Sequence, residues 1–96
     1  MNTKLSPRLA EIVKALPLQE GIRVLEIGCG PGVVAREIAN RIGDGHILAI
    51  DRSPTAIQMA IKNSQQEISS GRLSFRRVRV EDFELHSSSR ISDWVL

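Results

Sequence analysis

Five consecutive residues, Gly28-Cys29-Gly30-Pro31-Gly32, stand between a short apolar run and a segment with helical spacing, and an acid lies on either side of them. Glycine reaches backbone angles that other residues resist, so such a loop can turn sharply, and its bare backbone can approach a bound molecule closely. A helix opening directly after the loop presents free N–H groups, which suit a carboxylate or another anion. Glu26 lies two residues before the first glycine, and Asp51 ends the next apolar run, Ile47 to Ile50. A carboxylate accepts two hydrogen bonds at once, which fits two adjacent ribose hydroxyls. The competing readings are a glycine turn that only packs strand on helix, and a capping or surface role for Asp51. Ser53 is the better helix cap, which leaves Asp51 for a ligand. Cys29 has no histidine partner placed by the sequence, so it reads as a small loop filler rather than a nucleophile. Cys29, His46 and His86 show no metal-ligand spacing.

Holding the loop and the acids together requires strands that end where they lie. Ser6-Pro7 starts a helix, with Ser6 as cap and Pro7 at the first helical position, and Leu9, Ile12, Val13 and Leu16 form its apolar face until Pro17 ends it. Arg23 to Ile27 reads as a buried strand running into the glycine loop. Val34, Ala35, Ile38, Ala39 and Ile42 predict a second helix stopped by Gly43. Ile47 to Ile50 is a second strand, and Ser53-Pro54 starts a third helix with the stripe Ile57, Ile61, Ser64, Ile68, closed by Gly71. Leu73 to Val80 predicts a third strand whose alternation changes parity between Phe75 and Val78, which implies a bulge or frayed edge. Ile91 to Leu96 begins a fourth strand. The order is βαβαβ followed by a further strand, the half-unit of a doubly wound parallel sheet.

The stretch Val24-Leu25-Glu26-Ile27-Gly28-Cys29-Gly30-Pro31-Gly32 resembles the first signature of class I S-adenosylmethionine-dependent methyltransferases, and the likeness continues in register. Ile47-Leu48-Ala49-Ile50-Asp51 is similar to the second signature, Val80-Glu81-Asp82-Phe83-Glu84-Leu85 to the third, and Ile91-Ser92-Asp93-Trp94-Val95-Leu96 to the start of the fourth strand. The resemblance implies an α/β, Rossmann-like doubly wound parallel sheet of strand order 3-2-1-4, with residues 1–96 a partial methyltransferase domain truncated after the fourth strand. It implies S-adenosylmethionine as cofactor and S-adenosylhomocysteine as product. Gly28, Cys29, Gly30 and Gly32 then lie along the cofactor, Glu26 near its ammonium group, and Asp51 at its ribose. Arg52 falls over the adenine, unless it is simply solvated; Asp82 accepts from the adenine amino group and the Phe83 N–H donates to the ring, with Glu81 adjacent and a solvated loop acid as the alternative. A nicotinamide-binding fold asks instead for G-x-G-x-x-G, whereas Gly28, Gly30 and Gly32 give G-x-G-x-G.

In the resembled fold the acceptor and any general base are held by later segments, so no residue here is assigned as catalytic and the acceptor stays unknown. Two functions remain open: the cofactor-binding part of an enzyme, or a non-catalytic module that binds the cofactor or pairs with another chain. A reading frame continuing past Leu96 into a strand and a glycine-proline turn favours the enzyme. The formal net charge of +2 is too weak to imply nucleic acid. Arg72, Arg76, Arg77 and Arg79 surround the third strand, the sheet edge in this order, where charge discourages edge-to-edge aggregation. One cysteine, no signal-peptide core and no apolar run of membrane length predict a cytoplasmic protein without membrane contact. An uncharged fourth strand ending Trp94-Val95-Leu96 predicts a homodimer through that edge.

Overall fold

The computed structural model describes residues 5–82 and 94–95. Four parallel strands form one sheet in the order β3-β2-β1-β4, with β1 at Arg23–Ile27, β2 at His46–Asp51, β3 at Leu73–Arg77 and β4 at Trp94–Val95. This is the predicted 3-2-1-4 order, and it puts the carboxyl ends of β1 and β2 side by side. Parallel doubly wound sheets bind ligands outside those ends.

Helix α1, Pro7–Ala15, starts as expected: the Ser6 hydroxyl accepts from the Leu9 N–H at 3.2 Å, and Pro7 occupies the first turn. It ends where Leu16 turns to extended backbone ahead of Pro17. Helix α2 spans Val33–Ala39, helix α3 Pro54–Lys62 and helix α4 Gln65–Ser69. The register aligns Val24, Ile47 and Leu73 across the sheet, so their side chains share one face. They pack with Val13, Ala35, Ile38, Ala39 and Ile57 into the main core. Burial of this order, roughly 25 cal/mol per Å² of apolar surface, is what holds so short a chain together.

Three elements differ from the expectation. The second helix ends at Ala39, not at Gly43, and the Arg72 guanidinium reaches across to that end, donating to the Ala39 carbonyl at 3.3 Å and to Asn40 Oδ1 at 3.0 Å. The third helix is two helices, broken at Asn63-Ser64: Ser64 is fully buried, whereas Ile61, on the predicted apolar stripe, is 39% exposed. The third strand stops at Arg77, and a 3-10 turn follows at Val80–Asp82. Its parity change reflects that ending: the Val78 N–H donates to the Asp51 carbonyl at 3.0 Å and draws the chain across the end of β2. Of the predicted fourth strand, residues 91–93 and 96 lie outside the described residues.

Candidate cofactor site

The glycine loop leaves β1 and folds over the end of β2. The N–H groups of Gly28 and Cys29 both donate to the Ile50 carbonyl, at 2.9 and 3.0 Å. Asp51 fixes the loop from the same side. Its Oδ2 accepts from the Gly30 N–H and its Oδ1 from the Ser53 N–H, each at 2.9 Å. The Ser53 hydroxyl in turn caps α3 by accepting from the Ala56 N–H at 3.2 Å. Ser53 is therefore the cap, as expected, and Asp51 ties loop to helix while remaining half-buried. Each carboxylate oxygen carries one internal bond and has further acceptor capacity.

A cleft of about 250 Å³ opens beside it, lined by Gly28, Asp51 and Arg52 and closed by Val78, Val80 and Glu81. The loop glycines divide into two kinds. A Cβ on Gly28 or Gly30 would meet nothing within 4 Å, although both have positive φ, so their bare backbone borders open space. A Cβ on Gly32, at φ +87°, would lie 3.0 Å from the Phe75 ring, 3.1 Å from Arg36 and 3.2 Å from Ala60. Gly32 thus serves packing at the start of α2 rather than the cleft. Gly32→Ala is expected to lower the melting temperature well beyond Gly30→Ala, whose cost is the backbone term of about 1–2 kcal/mol. Thermal unfolding of the two variants checks this, and equal losses would contradict the division.

Glu26 lies under the loop, 8% exposed, and its Oε1 is buried without a hydrogen-bond partner. Burial, with the Asp51 charge adding to it, pushes its carboxyl from 4.5 up to about 7. A buried carboxylate lacking a donor is what a cationic ligand group can satisfy. Cys29 is buried too, and burial together with the charges of Glu26 and Asp51 pushes its thiol up to about 12, so it stays protonated at neutral pH.

Of the other residues singled out, Arg52 is exposed on the cleft rim, and Asp82 lines an adjoining cleft while its neighbour Glu81 lines the first. Phe83 lies outside the described residues. His46 is held between the Gly71 carbonyl and the Ser74 hydroxyl, away from the loop. Arg72 is spent on α2, and among the described residues no group of three His, Cys, Asp or Glu could hold a metal ion. Among them, too, no helix is long and apolar enough to cross a membrane.

Two residues escaped sequence reasoning. Arg36 of α2 donates through Nη1 to the Pro31 carbonyl at 2.9 Å and to the buried Ser64 hydroxyl at 3.0 Å, clamping the back of the loop to the α3–α4 break. No local signal marks the pair, because the partners are brought together only by tertiary packing.

The fold and this geometry describe a Rossmann-like domain with a cleft at the carboxyl ends of its strands, and comparison with known proteins specifies it. Residues 18–96 match the family described as "Methyltransferase domain". The chain belongs to that family, among the class I S-adenosylmethionine-dependent methyltransferases. It is 31% identical over 86 residues to the mitochondrial ubiquinone biosynthesis O-methyltransferase of Schizosaccharomyces pombe, covering 88% of this chain and 31% of that protein. Among solved structures it resembles an S-adenosylmethionine-dependent methyltransferase from Thiobacillus denitrificans in complex with S-adenosylhomocysteine (TM-score 0.65, 27% identity, 80% of this chain and 31% of that one). It also shares the fold of phosphoethanolamine N-methyltransferase 1 from Haemonchus contortus (TM-score 0.75, 21% identity, 91% of this chain and 17% of that one). The chain spans less than a third of the curated relatives it matches.

Proposed function

We propose that this chain is the S-adenosylmethionine-binding part of a methyltransferase whose acceptor these residues do not define. The observation that carries the reading is the Asp51 carboxylate, bonded to Gly30 and Ser53 and facing a cleft bordered by the bare backbone of Gly28. The residues fit the cofactor. Asp51 takes the ribose hydroxyls, Glu26 the ammonium group, Gly28 and Gly30 give the backbone room to approach, and Arg52 flanks the base; Cys29 and Gly32 shape the loop from behind. For the adenine edge, Glu81 and Asp82 both stand near, with Phe83 next in sequence. The cofactor supplies a methyl group already activated on a sulfonium. The protein's part is to hold it in a fixed orientation, which is catalysis by proximity. A titration of the isotopically labelled chain with S-adenosylhomocysteine tests the site. Saturable amide shifts are expected at Gly28, Gly30, Asp51 and Arg52, and shifts confined to other elements would overturn the assignment.

The second reading is a cofactor-binding or dimerising module without catalysis of its own. It is favoured by the β4 edge, where Val95 is 49% exposed and Trp94-Val95-Leu96 carry no charge. Such an edge pairs readily with a copy of itself in a self-complementary interface. Sedimentation at several concentrations is expected to show a dimer of the 96-residue chain; a monomer throughout would exclude it. The lone, protonated Cys29 thiol suits a reducing compartment such as the cytoplasm.

A further inference from the structure

Next to the cofactor cleft lies a second one of about 290 Å³, walled by Arg52, Arg77, Val78, Arg79 and Asp82. The two clefts share Arg52 and Val78. The cause is local: the Val78 N–H bonds the Asp51 carbonyl, which holds the chain leaving β3 beside the end of β2, so that Arg77 and Arg79 line the same cleft as Arg52. Protection of a sheet edge accounts for charge along β3. It does not account for Arg52, which follows β2, lining the same cleft as Arg77 at the end of β3 and Arg79 beyond it.

Their state differs from that of other arginines. Arg36, Arg41 and Arg72 are each engaged, with Pro31 and Ser64, with Glu37, and with Ala39, Asn40 and Ser70. Among the described residues no side-chain hydrogen bond or ion pair is made by Arg52, Arg77 or Arg79, and all three are exposed. One acid, Asp82, shares the wall, so cations outnumber anions three to one. The cleft also opens outside the carboxyl ends of β2 and β3.

The geometry points to a phosphate-binding subsite that takes a single phosphate group, with Arg77 and Arg79 as its principal donors and Arg52 as the residue that joins it to the cofactor cleft. A guanidinium pairs two oxygens of a phosphate in one plane, and a tetrahedral dianion offers oxygens to several such forks at once. A continuous polyphosphate track is disfavoured, because Glu81 and Asp82 on one side and Asp51 on the other interrupt the positive surface. The site shares Arg52 and Asp82 with the residues proposed for the adenine, and phosphate alone, with substitutions at Arg77 and Arg79 only, probes it apart from that reading.

The test titrates the labelled 96-residue chain with inorganic phosphate, with ribose 5-phosphate and with a short oligonucleotide, all at constant ionic strength. Saturable shifts are expected at Val78 and Arg79 with the first two ligands. Arg77→Gln with Arg79→Gln is expected to weaken phosphate binding by roughly tenfold or more while S-adenosylhomocysteine affinity and the melting temperature stay unchanged. The oligonucleotide is expected to bind no more tightly than ribose 5-phosphate. Absence of saturable shifts, shifts that persist in the double variant, or far tighter binding of the oligonucleotide with a steep salt dependence would each overturn the proposal.

Discussion

Asp51→Ala is expected to weaken S-adenosylhomocysteine binding by about 1.5–3 kcal/mol, roughly tenfold to over a hundredfold. The loss has two sources. The ribose loses a charged acceptor, and the loop loses the bond that fixes Gly30, while Ser53 loses the one that fixes its N–H. Even a half-buried donor left without its acceptor costs free energy on its own account, so the variant is expected to unfold at lower temperature as well. Asp51→Asn separates the two sources in part, because its one amide oxygen can accept from only one of the Gly30 and Ser53 N–H groups while its NH2 faces the other and the charge is gone. Its stability is expected between those of the parent chain and Asp51→Ala, and its affinity near that of Asp51→Ala. If Asp51→Ala bound S-adenosylhomocysteine like the parent chain, with the fold intact, the ribose assignment would be wrong even though the loop geometry stood.

The second large effect concerns Glu26, and its sign is opposite. The carboxyl titrates at about 7 in the folded chain against 4.5 as its ordinary value, so the folded state holds the proton more tightly than the unfolded one. Stability from this group is therefore full below 4.5 and is lost as pH rises through about 7. Each unit of difference corresponds to about 1.4 kcal/mol, so ionised Glu26 costs the fold on the order of 3 kcal/mol above neutrality. Glu26→Gln stays neutral throughout. It is expected to be more stable than the parent chain by up to about 3 kcal/mol in mildly alkaline buffer, the difference shrinking as pH falls and vanishing only below 4.5. The same substitution is expected to weaken S-adenosylhomocysteine, because it removes the anion offered to the ammonium group. Chemical denaturation across this pH range checks the first half and a binding titration the second. A parent chain and a Glu26→Gln variant with parallel stability profiles would contradict the account. The predictions are coupled: the Asp51 charge helps raise the Glu26 carboxyl, so Asp51→Ala is expected to shift the pH midpoint downward.

A destabilising buried acid at the floor of the loop has a plain interpretation. Sites that bind charged groups keep local costs that binding offsets, and Glu26, with its unpartnered Oε1, is such a cost.

Much of this arrangement is legible along the chain, for reasons that are local. Ser6-Pro7 and Ser53-Pro54 carry their own capping chemistry, and both hydroxyls cap as expected. The apolar runs of β1 and β2 end at Ile27 and Asp51, so the loop and Asp51 meet because parallel pairing puts Glu26 opposite Ala49 and Ile27 opposite Ile50. What escapes a linear reading depends on contacts between distant segments. The stripe Ile57, Ile61, Ser64, Ile68 has unbroken helical spacing, yet the helix breaks so that Ser64 can meet Arg36 from α2. The early end of α2 is met by a donor, Arg72, more than thirty positions away in sequence. Asp82 and Glu81 are both acids in the right place, and which one faces the first cleft is decided by the 3-10 turn at Val80–Asp82, which alternation along β3 does not foretell.

The most direct test of the central claim is isothermal calorimetry of the chain against S-adenosylhomocysteine, S-adenosylmethionine and NAD under identical conditions. The geometry of the loop, with Gly28, Gly30 and Gly32 spaced G-x-G-x-G and Asp51 anchoring Gly30, predicts saturable binding of the first two ligands and a clear preference for them over NAD. A preference for NAD, or no heat with either sulfur-containing ligand from a chain shown to be folded, would contradict it.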